Sequence, residues 1–255
     1  MTILSKKFKL ILTLCCITLL AACASTRTST GLINDPLESI NRPIFAFNSA
    51  IDKAILSPAS KVYAENMPKP VKKGVRNFLK NLREPWTFIN DLLQFKFDRA
   101  ANTFSRFAIN TTFGIGGLWN VAKKAGLDRH KEDFGQTLAT WGVKGGPYLV
   151  LPILGPSTVR GAVGSGVEFF AEPVGYYADE KNKEMWNYGR IIMDKFTTRV
   201  EFRLALDNMY LENDPYIFAR SAYLQSRAYD IRDGAPAPMS DEDDLFDFDD
   251  EDEGQ

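Results

Sequence analysis

The chain has 255 residues and a mass of 28.6 kDa, enough for one large or two small domains, and its 45% hydrophobic and 12% aromatic content, with 18 Phe, excludes a disordered chain. One histidine, His130, excludes a multi-histidine metal site and leaves a histidine-dependent hydrolase a single base. The net charge of −1 conceals an asymmetry: ten acidic and no basic residues lie between Ser240 and Gln255, whereas residues 23–239 hold 28 basic against 22 acidic residues. That mild excess suits an anionic membrane surface and falls short of the dense basic stripe of a nucleic-acid-binding protein.

At the N-terminus, Lys6, Lys7 and Lys9 precede an apolar run from Leu10 to Leu20, followed by Ala21 and Ala22. This is the order of an export signal, and eleven residues are too few to span a bilayer. The run ends Leu20-Ala21-Ala22-Cys23, which resembles the lipobox of bacterial lipoproteins. Residues 1–22 are therefore expected to be a signal peptide, with Cys23 acylated (diacylglycerol and palmitate-type chains) as the first mature residue. Cys15 and Cys16 would leave with the signal, so no disulfide remains possible within the mature chain. Two or three acyl chains anchor stably. Ala24 after the cysteine, rather than Asp, is the lipoprotein pattern for release to the outer membrane. Residues 23–31, rich in Ser and Thr, form a short tether.

Residues 32–232 contain no dividing linker or repeat and form one domain, mainly α with little or no β-sheet. Ile40, Ile44, Phe47, Ile51 and Ala54 recur at steps of four and three on one helical stripe, with Asn41, Asn48 and Asp52 off it and Pro43 near the start or at a break. Shorter helices are expected around residues 71–82 and 85–93. Leu93, Phe97, Ala100, Phe104 and Phe107 form a second stripe, Ile192, Phe196, Val200 and Leu204 a third, and Asp214-Pro215 is the N-cap and first position of a last helix.

Two Gly-rich apolar segments, residues 113–119 and 145–156, lie between the helices. Such loops are normally polar; these suit either a buried crossing or a membrane-facing loop, and the acyl anchor favours the second. Residues 147–154 are too short to assign as strand or helix. Residues 233–255 form an acidic tail, punctuated by Leu245, Phe246 and Phe248, that is either a disordered solvating segment or a short docking segment.

Catalytic patterns fail on inspection. The third glycine of a dinucleotide loop beginning at Gly114 would fall on Trp119, and Ser165 lacks the glycines two residues to either side that a nucleophile elbow requires. His130, beside Lys131, Glu132 and Asp133, reads as a solvated surface residue. No enzyme activity, cofactor or metal is expected.

A set of ordered motifs resembles the MlaA, or VacJ-type, lipoprotein family: Asn34-Asp35-Pro36-Leu37-Glu38 with Asn41-Arg42 and Phe45-Ala46-Phe47-Asn48; residues 77–85; Arg106-Phe107 with Asn110; Gly114-Ile115-Gly116-Gly117; residues 132–138; Gly146-Pro147-Tyr148; residues 151–158 with Arg160; and Asp214-Pro215-Tyr216. Gly161 stands where the family usually has Asp, so no ionic role of that Asp is carried over. The resemblance implies a ring-shaped helical protein seated in the inner leaflet of the outer membrane and facing the periplasm. Misplaced outer-leaflet phospholipid would pass inward through its amphipathic channel, and the partners implied are a porin trimer and a periplasmic carrier of the MlaC kind. Phe47, Asn48, Gly116 and Gly117 are then candidates for the lipid path or its gate. Ile44, Phe113, Ile115, Tyr148, Leu149 and Leu151 are candidates for membrane contact. The alternative is a lipoprotein scaffold that stabilises porins or the envelope; a lipid hydrolase would rest on His130 or a carboxylate.

Overall fold

The computed structural model describes residues 35–181 and 183–236; Cys23, the signal peptide and most of the acidic tail lie outside the described residues. Helix α1 (Glu38–Ile51) runs through a π-helical turn (Asp52–Leu56) into α2 (Ser57–Asn66). Pro43 lies inside α1 and does not break it: near the helix start, one missing N–H costs little. Asp52 follows Asn41 and Asn48, at steps of seven and four, on their inward face, and the π-helical turn re-phases the helix face beyond it.

The two short helices expected at 71–82 and 85–93 are one, α3 (Lys69–Leu93), with Pro85 inside it. Three residues link it to α4 (Phe97–Thr112), and these two helices form the most extensive helix pair of the fold. That packing outweighs the roughly 3 kcal/mol a central proline costs an isolated helix. A one-turn helix, α5 (Val121–Lys124), and α6 (Phe134–Thr140) follow, capped by the Asn120 and Asp133 side chains. Residues 148–158 form a hairpin: β1 (Tyr148–Leu151) pairs antiparallel with β2 (Gly155–Thr158), with Tyr148 opposite Thr158. This short hairpin is the β structure of the described residues. Helices α7 (Val159–Ala171), α8 (Pro173–Glu180), α9 (Glu184–Glu201), α10 (Arg203–Met209) and α11 (Pro215–Ile231) complete the chain. As the sequence predicts, Asp214 caps α11, accepting from the Tyr216 and Ile217 amides, with Pro215 at the first helical position.

Among the described residues, buried apolar side chains gather into two small clusters. Trp86, Leu138, Val163 and Val167 join α3, α6 and α7, which approach so closely that a Cβ on Gly164 would lie 2.5 Å from the Gly135 amide nitrogen. Tyr148, Val150 and Tyr216 join the hairpin to α11, with Ile44 and Phe45 of α1 against them. Elsewhere the polarity is inverted: buried polar and charged residues outnumber buried apolar ones, while large apolar side chains cover much of the outside.

The apolar stripes show where the inversion comes from. Phe97 and Phe104 of α4 are 63% and 59% exposed, whereas Thr103, Arg106 and Asn110 of the same helix are buried. On α1 the stripe residues Ile40 and Phe47 are exposed and Asn41 is fully buried; on α9, Ile192 is 68% exposed while Asn187, Thr197 and Arg199 are buried. No helix among the described residues is long and apolar enough to cross a membrane.

Candidate functional site: a charged interior within an apolar exterior

Three joints hold the interior together. The first gathers the opening and closing motifs. Asn41 donates to the Asp35 carboxylate at 3.1 Å and to the Tyr148 carbonyl at 3.0 Å, and its Oδ1 accepts from the Val150 amide at 2.9 Å. Tyr216 donates its hydroxyl to Asp35, Arg220 pairs with Asp35 at 3.1 Å, and Arg42 pairs with Asp214 at 2.8 Å. Charge-assisted bonds between residues so distant in sequence clamp α1 to α11 and the hairpin. In the second joint, Arg199 of α9 grips Asp52 in bidentate fashion, at 2.7 and 3.0 Å, and reaches Asp207 at 2.7 Å. In the third, Asp133, besides capping α6, binds both terminal nitrogens of Arg227, and this holds its carboxyl below the usual Asp range despite the opposing effect of burial.

Between these joints lies an ionic interior centred on α3. Arg76, Lys80 and Arg83, at steps of four and three, share one helical face. Arg83 bonds Glu168 at 2.8 Å and Asp194 at 3.0 Å; Lys80 meets Glu201 at 3.3 Å; Arg76 reaches Glu201, Asp194 and the Thr197 and Thr198 hydroxyls. On the neighbouring face, buried Glu84 lies 3.2 Å from Arg129 and 3.5 Å from Arg106. Burial raises the Glu84 and Glu168 carboxyls above their usual range and lowers the Arg129 guanidinium and the Lys131 ammonium. Yet the Arg83 and Glu168 side chains remain 34% and 24% accessible. These charged groups are thus partly desolvated and ion-paired, yet still reached by water.

His130 is not a solvated surface residue. Its Nε2 lies 2.9 Å from Oδ1 of fully buried Asp91, which also accepts from the Thr103 hydroxyl at 2.8 Å. Asp91, His130 and Glu132 are close enough to share a cation, but Arg99 at 3.0 Å and Lys96 at 3.5 Å already balance Glu132. The arrangement is a self-neutralised ionic network, in which the Thr103 hydroxyl, 3.4 Å from His130 Nε2, donates to Asp91.

The sequence-predicted site residues divide. Phe47 is exposed on α1, and Asn48 turns toward the hairpin, donating to the Leu151 carbonyl at 2.9 Å and accepting from the Ile153 amide at 2.7 Å. Gly116 and Gly117 have φ of +66° and +97° in the turn after α4. Gly116 stands in open space, whereas a Cβ on Gly117 would meet the Asn81 side chain at 2.5 Å. Gly117 also borders a small polar cavity, of about 20 Å³, shared with Lys80, Glu84, Arg106 and Arg129.

Phe113 and Ile115 project outward, as does Ile153 at the hairpin tip (75%, 58% and 77% exposed). Leu149 and Leu151 are half-buried. One of the expected membrane contacts is corrected: Tyr148 is fully buried against Tyr216 and Tyr223, because the hairpin turns this face toward α1 and α11, and Ile44 is half-buried beside the same cluster. Arg160, followed by Gly161, makes no ion pair among the described residues and donates to the Val143 carbonyl at 2.6 Å. A separate open groove of about 560 Å³ lies between α1 and residues 210–216, floored by Ala46 and Ala50 and edged by Arg42 and Lys53.

Sequence reasoning missed the ionic interior. The spacing of Arg76, Lys80 and Arg83 was a usable signal for the basic side. Nothing local marked Glu168, Asp194 and Glu201 as their partners.

The fold is that of a mainly helical protein with many large apolar side chains exposed and an ion-paired set of polar side chains buried. The chain belongs to the MlaA lipoprotein family, whose model matches residues 33–230. It is 31% identical over 244 residues to the intermembrane phospholipid transport system lipoprotein MlaA of Escherichia coli K12, covering 92% of this chain and 95% of that one. It is 34% identical over 206 residues to the protein of the same name from Haemophilus influenzae, covering 79% and 80%, and 37% identical over 203 residues to an uncharacterized protein of Rickettsia typhi, covering 78% and 79%. A solved structure concerned with the maintenance of bacterial outer membrane lipid asymmetry superposes with a TM-score of 0.68 at 33% identity, covering 77% of this chain and 98% of that one.

Proposed function

We propose that this protein is an outer-membrane lipoprotein that removes mislocalised phospholipid from the outer leaflet through an amphipathic channel and passes it to a periplasmic carrier. The observation that carries this reading is the inverted polarity: Ile40 and Phe47 of α1, Phe97 and Phe104 of α4 and Ile192 of α9 face out while the same helices turn Asn, Thr and Arg inward. Outward Phe and Ile suit acyl chains, and helices tolerate such surroundings because their backbone groups bond internally. Inside, a phosphate head group would meet ready-made partners, where desolvating it without them would cost several kcal/mol.

In this reading the body forms a ring in the inner leaflet, anchored through Cys23 and facing the periplasm. The 113–119 turn and the hairpin tip at Ile153 meet the lipid, and Gly116 and Gly117 border the path. Phe47 and Asn48 lie on its outer side, and a porin trimer and an MlaC-like carrier are the partners. No covalent chemistry or cofactor is involved. The test is to purify the lipidated protein in detergent, measure co-purified phospholipid, and follow its transfer to a periplasmic acceptor. Bound lipid that transfers supports the reading; protein that carries and delivers none is a scaffold.

A further inference from the structure

The interior ionic set deepens the lipid-transport reading, and the head-group selectivity inferred from it rests on that reading. Six cations, Arg76, Lys80, Arg83, Arg106, Arg129 and Lys131, lie among four carboxylates, Glu84, Glu168, Asp194 and Glu201; Asp230 acts on Lys131 and Lys195 on Glu168, one further charge of each sign. The surplus has a location. Lys131 has no carboxylate within 4.0 Å among the described residues, and Lys80 has only Glu201, which it shares with Arg76. Burial, and then the neighbouring Arg76 and Arg129, lower the Lys80 ammonium; partial desolvation and Arg129 do the same to Lys131, against the pull of Asp230. Lys80 nevertheless keeps 29% of its side chain accessible, and Lys131 is exposed, so both are within reach of a solute.

We propose that Lys80 and Lys131, backed by Arg76, Arg83 and Arg129, form a head-group station that selects phospholipids with a net anionic head over zwitterionic ones. A phosphodiester with no ammonium of its own relieves the repulsion among these cations, whereas a zwitterionic head brings a further cation among them. Free inorganic phosphate has the same charge chemistry, and the experiment separates the two.

The full lipidated protein in detergent is exposed to vesicles of equal phosphatidylglycerol and phosphatidylethanolamine, and bound lipid is quantified by mass spectrometry; lipid-stripped protein is separately titrated with inorganic phosphate. The expected result is an enrichment of phosphatidylglycerol by roughly threefold or more, the effect of one to two modest ion pairs. The enrichment disappears in Lys80→Gln/Lys131→Gln with total bound lipid unchanged, and is kept in Lys144→Gln. Should the double variant not fold, Lys131→Gln alone, at an exposed position, is expected to reduce the enrichment. Equal binding of the two lipids, or a preference untouched by Lys131→Gln, overturns the station while leaving lipid transport standing; absence of any bound lipid removes transport itself. Tight binding of inorganic phosphate that abolishes the lipid preference overturns the lipid assignment.

Discussion

Asn41 and Tyr148, 107 residues apart, are joined by a buried hydrogen bond of 3.0 Å from the Asn41 carboxamide to the Tyr148 carbonyl, and the same carboxamide accepts from the Val150 amide at 2.9 Å. A helix side chain thus takes the place of a third strand along the edge of β1. Asn41→Ala strands a carbonyl and an amide in a buried place and is expected to cost about 3 kcal/mol, read as a fall in the thermal unfolding midpoint in detergent. An Asn41→Ala protein as stable as wild type would mean that the hairpin does not depend on α1.

Asp133 and Arg227 supply a pH-dependent contribution. The Asp133 carboxyl titrates lower folded than unfolded, so its stabilisation is fully present above the unfolded value near 3.9 and is lost as pH falls through the lower folded value. Asp133→Asn keeps the helix cap but not the ion pair, and is expected to cost about 1–2 kcal/mol at pH 7. The gap from wild type should begin to narrow below about pH 4 and close only as pH passes the lower folded value. Chemical denaturation at pH 7 and pH 3.5 checks this; a gap that widened in acid would contradict the assignment.

The two neighbouring glycines are expected to respond differently. Gly116→Ala meets open space and carries only the left-handed backbone penalty, about 1 kcal/mol. Gly117→Ala adds a collision with Asn81 and should lower the unfolding midpoint clearly further. A bulky residue at Gly116 should leave the protein folded and anchored yet impair lipid retrieval, measured as outer-leaflet phospholipid in a complemented deletion strain.

Inverted polarity predicts an inverted mutational pattern. Phe97→Lys with Phe104→Lys, both on the outer face of α4, should change stability by no more than about 1 kcal/mol while reducing association with vesicles in flotation. Thr103→Leu, on the buried face of the same helix, should destabilise, because it removes a partner of Asp91.

His130→Ala leaves Asp91 buried with one fewer partner and should cost about 2 kcal/mol. Lipid transfer by the folded fraction should persist. Loss of a lipid-hydrolysing activity in that variant would point instead to catalysis.

Much of the secondary structure was legible in the sequence. The four and three spacings located α1, α4 and α9, and Asp214-Pro215 fixed the start of α11, because these depend on residues within a turn or two of each other. Ordered motifs carried the family resemblance. Periodicity establishes that two faces of a helix differ; it does not say which face meets protein. Only the tertiary structure decided that Phe97 and Ile192 look outward while Arg106 and Arg199 look inward, since that depends on charged partners such as Glu84 and Asp52 arriving from remote parts of the chain. The same cause hid the continuity of α3 through Pro85, which packing against α4 sustains, and the burial of Tyr148, which α1 and α11 impose from either side of the hairpin.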